Sequence, residues 1–303
     1  MVTPSGKVRA VADGTAQEPA SAQSVLDALS RLGEVASLPE VATRILEVVE
    51  DANATAHDMH QIIKSDPALA AKVLKVVNSA FYGVPSQIAS LERAIVMLGL
   101  SAVKNIALAA SLSRLFRAEA ISEHFAARDL WRHSIAVAVA ARLIAVTGQR
   151  APADEVFVAG LVHDLGLIAL RQLYPQKTRT LVDQAMNRPA QFAALETELI
   201  GISHALIGAE LATRWRFPPV LRSALAFHHH PHRAPAEHQT VARVVHAADV
   251  EACRGRYGFW LSASGKTLSA EELEAVGLNE VLLKALVAQM AQLVEEAEQI
   301  FSE

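Results

Sequence analysis

The stretch Glu155–Leu170, EVFVAGLVHDLGLIAL, is apolar at nearly every position except for one central pair, His163-Asp164. A run this long that is hydrophobic on all sides reads as helix buried inside a larger core. Within it, an unpaired charge is costly. A neutral imidazole beside a carboxylate offers one nitrogen and up to two oxygens to a single divalent ion. Alone, the dipeptide is a weak signal. Here His133 lies upstream, and His204, His228, His229 and Asp249 follow, mostly in segments that read as buried helix faces.

Composition sets the frame for that pair. Of 303 residues, 51% are apolar and only 20% charged, so a sizeable core is available. Aromatics supply just 5%, leaving alanine, leucine and valine to fill the interior, which favours packed helices over a sandwich or barrel. A net charge of −4 argues against a nucleic-acid partner. The single cysteine, Cys253, excludes an intrachain disulfide and a thiolate-rich zinc site, and it reads as structural. Residues 1–22 are rich in Ala, Gly, Ser, Thr and Pro without periodicity and are expected to be disordered. They lack the apolar centre of a signal peptide. No stretch approaches about 18 uninterrupted apolar residues, so the expectation is a cytoplasmic protein with no membrane segment.

From Ser24 onward helix signatures succeed one another. Residues 41, 45, 48 and 49 are apolar at helical spacing, and Thr55 with Asp58 forms a capping-box pattern. Asp66-Pro67 places a cap residue before proline at the first helical position. Ser90 can cap a helix that Gly99 ends; another run ends at Gly148, Asp154 opens the histidine–aspartate helix, and Pro218-Pro219 starts the segment leading to the histidine cluster. No segment alternates with period two between hairpin turns. The fold class is therefore all-α, a multi-helix bundle. Residues 254–270 read as a loop; their Ser264-Gly265-Lys266 has neither the spacing nor the preceding strand of a phosphate loop. The segment 254–303 ends in an amphipathic helix, with Leu286, Met290, Leu293, Ala297 and Ile300 on one side. That stripe is expected to cap the core, with a homodimer through the same helix as the alternative.

Several phrases resemble the HDOD domain, a bacterial regulatory relative of HD-type metal phosphohydrolases. They are Leu38-PEV, SDPALAAKVLKVVNSAFYG, IASLERAIVMLGL, LWRHSIAVAVAARLIA and AGLVHDLG. The resemblance runs over residues 23–253 and implies an N-terminal helical part (23–120) followed by an HD-like bundle (121–253). It implies a signalling role exercised by binding regulatory protein partners, with a nucleotide or phosphorylated ligand as a further candidate. Carried over by position, His133 matches the first histidine, His163 and Asp164 the HD pair, and Asp249 the final aspartate. His204 matches the additional histidine of two-metal relatives such as the HD-GYP phosphodiesterases, and His228-His229 their paired histidines. Two departures stand against catalysis of that kind: Leu167 replaces a lysine, and His230-Pro231-His232 stands where a Gly-Tyr-Pro phrase is expected.

Imidazole and carboxylate together suit Fe, Mn, Zn or Ni. If His204 and one of the paired histidines hold a second ion, Asp164 can bridge the two, and metal-activated water then supplies a nucleophile for phosphoester hydrolysis. Asp164 is the residue such an enzyme depends on. Taken singly, each residue also has an ordinary reading: Asp164 as a helix cap or arginine partner, His133 as a satisfied core histidine, His204 at a helix end, and His228–His232 as a polar turn with at most two histidines turned inward. The leading expectation is a regulatory binding module that keeps a metal site; the alternative is a metal-dependent phosphohydrolase.

Overall fold

A computed structural model of the protein describes residues 38–302 except 52, 80–81, 117–121 and 123. The expected disordered segment 1–22, and the start of the helical part up to residue 37, lie outside them. Among the described residues the secondary structure is helical throughout, with no strand.

The N-terminal unit contains α1 (Glu40–Glu50), α2 (Ala56–Lys64), α3 (Pro67–Val77), α4 (Leu91–Leu98) and α5 (Leu100–Leu112). Its helix starts follow the cap residues. Thr55 and Asp58 form the reciprocal capping box of α2, Asp66 accepts the Leu69 amide at the start of α3, and Ser90 accepts the Arg93 amide at α4. Helix α5 is buried on every side from Ile106 through Leu112, and the other helices pack around it. The expected stripe on α1 is displaced: Ala42, Ile45 and Leu46 are the fully buried positions, with Val41, Val48 and Val49 at its margins.

The second part begins with α6 (Ala127–Gly148) and continues through α7 (Ala153–Val162), α8 (Leu165–Leu173), α9 (Pro175–Asn187), α10 (Phe192–Leu199), α11 (His204–Arg214), α12 (Pro219–Phe227) and α13 (Gln239–Arg254). Helix α6 is the axis of this part, packed against α7, α13 and the last helix, α15 (Glu280–Ser302). Residues Ile135–Ala141 of α6 have no exposed surface. The short α14 (Ala270–Ala275) follows the irregular segment after α13. The C-terminal stripe does cap the core: Leu286, Met290, Val294, Ala297 and Phe301 are buried, while Leu293 and Ile300 sit at its edge. One hydrophobic core runs without interruption from Ala42 to Phe301. Tyr82 reaches across to donate to Asp154 Oδ1 (3.0 Å), and the Lys72 ammonium donates to the Phe301 carbonyl (2.9 Å), tying the first part to the second.

Two runs, Arg128–Gly148 and Ala153–Leu173, are long and apolar enough to cross a membrane by length and composition alone. Their apolar character has a different use here, since 72% and 83% of those windows are buried inside the fold. The second is also not one helix. It breaks at His163-Asp164, where Asp164 leaves helical geometry (φ −99°, ψ 16°) between α7 and α8.

Two glycines set that break against its neighbours. A Cβ on Gly160 would sit 3.0 Å from the Ala138 Cα and the Val137 carbonyl, so α7 touches the backbone of α6 directly. A Cβ on Gly166 would run into the His204 carbonyl, so α8 meets the start of α11 backbone to backbone. Gly166→Ala should therefore overpack the interface and destabilise the fold by about 3 kcal/mol. Gly208→Ala on the facing helix would press on the Gly166 amide nitrogen at 3.1 Å, a tight contact but far less severe than the overlap at Gly166, and should cost about 1 kcal/mol. Denaturant melts of the two variants side by side check this; equal losses would mean that the α8–α11 approach does not depend on Gly166.

Candidate metal centre

The backbone contacts at Gly160 and Gly166 bring the two ends of the break beside α6 and α11, and the sequence-predicted residues meet there. His133 comes from α6, His163 and Asp164 from the break, and His204 from the first position of α11. His228 and His229 follow α12, and Asp249 comes from α13. All have no exposed side-chain surface except His229, at 10%. All seven converge. His230 and His232 point away and are exposed, as expected for a cluster in which at most two histidines turn inward.

Asp164 lies at the hub. Its Oδ1 is 3.2 Å from His204 Nε2 and 3.7 Å from His228 Nε2; its Oδ2 is 3.4 Å from His163 Nε2 and 3.7 Å from His133 Nε2. Asp249 Oδ1 is 3.2 Å from His133 Nε2 and 3.8 Å from His163 Nε2, and its Oδ2 is 3.9 Å from His229 Nδ1. Asp164 occupies the N-cap position of α8 but makes no capping hydrogen bond, and no arginine pairs with it among the described residues, so neither ordinary reading of this residue holds.

A second layer aims the imidazoles. His163 Nδ1 donates to the Gly160 carbonyl (2.7 Å) and His228 Nδ1 to the Leu225 carbonyl (2.9 Å). His204 Nδ1 donates to the Glu196 carboxylate at 2.9 and 3.1 Å, and Glu196 also accepts the His204 amide at 2.8 Å. With the proton on Nδ1, each of these rings presents its Nε2 lone pair to the interior. His204 Nε2 then lies 3.3 Å from His228 Nε2 and 3.0 Å from His229 Nε2. Acceptors this close repel one another unless a proton or a metal stands between them. Behind Asp249, the Cys253 thiol and Ser262 hydroxyl each donate to Oδ1 at 3.4 Å, and Oδ2 has no hydrogen bond. Both oxygens of Asp164 and Nε2 of His133 and of His163 are likewise buried without a directed hydrogen bond. Buried polar atoms are seldom left so.

Three buried carboxylates, Asp164, Asp249 and Glu196, thus share the region. Every ion pair they make among the described residues is with histidine, none with lysine or arginine. In the metal-free polypeptide the compensating charge must be protons. Burial opposes a charge on His204, but the Glu196 and Asp164 carboxylates outweigh it and hold this imidazole well above the usual histidine range. Burial and the neighbouring His163 and His204 push His228 down to about 3. Asp164 goes well below the usual carboxylate range: burial raises it, and the charges and hydrogen bonds of His163 and His204 more than reverse this. A metal can take over the protons' role. Four groupings, His204/His228/His229, His133/His163/Asp164, His163/His228/Asp249 and His133/Asp249/Cys253, each place one ligand atom per residue within 4.8 Å of the others. The donor set of nitrogen and oxygen suits Fe, Mn, Zn or Ni without deciding between them.

Sequence reasoning missed Glu196. Its signal was present: position 196 shares a helical face with Phe192, Leu195 and Leu199, so a carboxylate stands on the apolar side of α10. Cys253, read as structural, is buried as expected but backs Asp249.

Among the described residues the protein is an all-helical bundle with a histidine–aspartate pair at a helix break. More specifically, the chain belongs to the HDOD domain family, whose model matches residues 35–231. It superposes on an HDOD domain protein of unknown function from Geobacter sulfurreducens with a TM-score of 0.79 at 21% identity, covering 92% of this chain and 97% of that one. A Shewanella amazonensis protein provisionally named a phosphohydrolase gives a TM-score of 0.70 at 23% identity over 92% and 97% of the two chains. These likenesses support the fold. An uncharacterised protein of Treponema pallidum is 27% identical over 221 residues, 73% of this chain; the chain spans only 42% of that relative's length.

Two outcomes follow from the second layer. In chelator-treated protein, an NMR pH titration should find the His204 imidazole still protonated where free histidine is neutral, and His228 neutral down to about pH 3. Glu196→Gln should weaken metal binding about 10–100-fold in a chelator competition. Unchanged affinity would remove Glu196 from any role in aiming His204.

Proposed function

We propose that this protein is a regulatory HDOD module that retains a divalent-metal centre, held by His133, His163, Asp164, His204, His228, His229 and Asp249. One observation carries the reading: among the described residues three buried carboxylates make all their ion pairs with imidazoles, several of which present their lone pairs to a common interior. A divalent ion there would satisfy both sets of acceptors and supply Lewis acidity toward phosphate oxygens. The chain's own residues do the rest. Gly160, Leu225 and Glu196 hold three rings in the ligating orientation, and Ser262 with Cys253 occupies one oxygen of Asp249 so that the other stays free for coordination.

A regulatory role, with the ion structural or sensory, is favoured by enclosure. Six of the seven side chains have no exposed surface, whereas a hydrolytic centre needs a route for substrate and water. Leu167, standing where related phosphodiesterases carry lysine, is 2% exposed and belongs to the apolar core. A partner protein is part of this proposal. Homodimerisation through α15 would have to use the apolar residues its own packing leaves outside, Val281, Leu282 and Val287. A second reading, a metal-dependent phosphohydrolase, is favoured by one feature: His229 borders an open cleft.

Elemental analysis of protein purified without a histidine tag or chelator should find near-stoichiometric metal, lost in Asp164→Ala and in the milder Asp164→Asn. Added to chelator-treated protein, Mn²⁺, Fe²⁺ or Zn²⁺ should raise the melting temperature of the wild type, by about 2.7 kcal/mol of stabilisation at a hundredfold excess over Kd, and leave the variants unmoved. Wild type without metal, or variants that retain it, would overturn the metal centre. Turnover of a phosphoester by the loaded wild type, absent in Asp164→Asn, would instead establish the second reading.

A further inference from the structure

The cleft beside His229 has a volume of about 600 Å³ and is walled by the turn that follows α12, the face of α13, and α14 with the segment leading into it. Its far wall, residues 266–275, lies beyond the residues matched by the family model. That wall is firmly placed. Ser262 bonds Asp249, Leu261–Ala263 are buried, and the Lys266 amide donates to the Ala263 carbonyl at 3.2 Å. The turn needs Gly265 in the left-handed region (φ 78°), and Ser269 with Glu272 closes it through a reciprocal capping box. Lys266 is thus held a few residues from a side chain that touches the candidate metal centre.

Among the described residues the Lys266 ammonium has no hydrogen bond or ion pair, and the Arg243 guanidinium bonds only the neutral Gln239 (2.9 Å). Two cations that make no ion pair therefore line the cleft, although Lys266 lies near enough to Glu272 to help the Ser269 amide hold that carboxyl below its usual range. Of the cleft's two carboxylates, Glu272 is occupied by the Ser269 amide (2.8 Å) and lies 3.8 Å from His246 Nε2, which leaves Glu271 as a free acceptor. Leu268 and Ala247 add an apolar side. A ligand complementary to this lining carries a phosphate at one end, a flat or apolar body, and a hydroxyl or amino donor.

We propose that the cleft binds a small phosphomonoester of nucleoside-monophosphate type, its phosphate held by Lys266 and Arg243 and directed toward His229. The contact with His229 rests on the metal-centre reading; the contacts with Lys266 and Arg243 do not. Charge-assisted bonds to phosphate are the strong polar contacts of such a site. The occupied cleft lies against the one candidate ligand with exposed surface, so ligand and metal would sense one another.

Calorimetric titration of the full-length wild type with AMP, inorganic phosphate and adenosine tests this, with Lys266→Met and Arg243→Met beside it. Lys266 is exposed, so its substitution leaves the core intact. AMP should bind, adenosine at least about tenfold more weakly, and Lys266→Met should weaken AMP about tenfold while metal content stays the same. AMP failing to bind, binding no better than adenosine, or binding equally to Lys266→Met would overturn the proposal. If the wild type proves metal-free yet Lys266-dependent AMP binding persists, the metal centre fails and the phosphate cleft stands.

Discussion

The architecture depends on placing carboxylates where water cannot reach them and no fixed cation meets them. Asp164 and Asp249 have no exposed surface, and Glu196 stands directly behind His204. An isolated buried carboxylate is costly enough that proteins neutralise or pair it. Here the partners are histidines, whose charge is conditional. The cluster can be compensated by protons on His204 and His163 or by a metal bound at the Nε2 atoms, and each state leaves the opposite demand on the same rings. Such an arrangement makes the local charge of the core a variable, which a ring of fixed arginines would not permit.

Holding those rings demands backbone precision, and small residues supply it. Gly160 lies three positions before His163, and Gly166 two positions after Asp164. Each brings its helix into direct backbone contact with a neighbour that carries another histidine, His133 on α6 and His204 on α11. The alanine-rich middle of α6 serves the same end, since bulky side chains there would hold α7 away. The apolar runs that satisfy a membrane-span criterion are largely buried in the fold, where they surround the histidine–aspartate cluster.

Much of this was legible in the sequence. Capping residues at Thr55, Asp66 and Ser90 set helix starts because their interactions are local, and the all-helical class followed from composition and periodicity. The seven candidate residues could be assembled from the HDOD resemblance, and all seven meet in space. What sequence reasoning misread was longer in range. Uniform apolarity across 155–170 concealed the break at His163-Asp164, because a helix and a helix–turn–helix buried on every side have the same hydrophobic pattern. Glu196 was missed because its partner lies in a different helix. The walls of the cleft were invisible, since 254–270 carries no periodicity and its order comes from tertiary anchors such as Ser262 on Asp249.

The position of that last segment bears on how the molecule could act. A sealed metal centre responds to little except its own ion, and an open cleft with no link to the core can only bind. Here the histidine–aspartate cluster and the cleft share a wall: Ser262 contacts Asp249 from one end of the segment, and Lys266 faces the cleft from the other. His246 completes the connection, lining the cleft while its Nδ1 donates to the carbonyl of His228 (2.6 Å). The wall of the cleft thus touches two candidate ligand residues, Asp249 through its carboxylate and His228 through its backbone carbonyl. Coupling between two sites requires differential contacts in the two states, and these two bridges are where such differences would be transmitted.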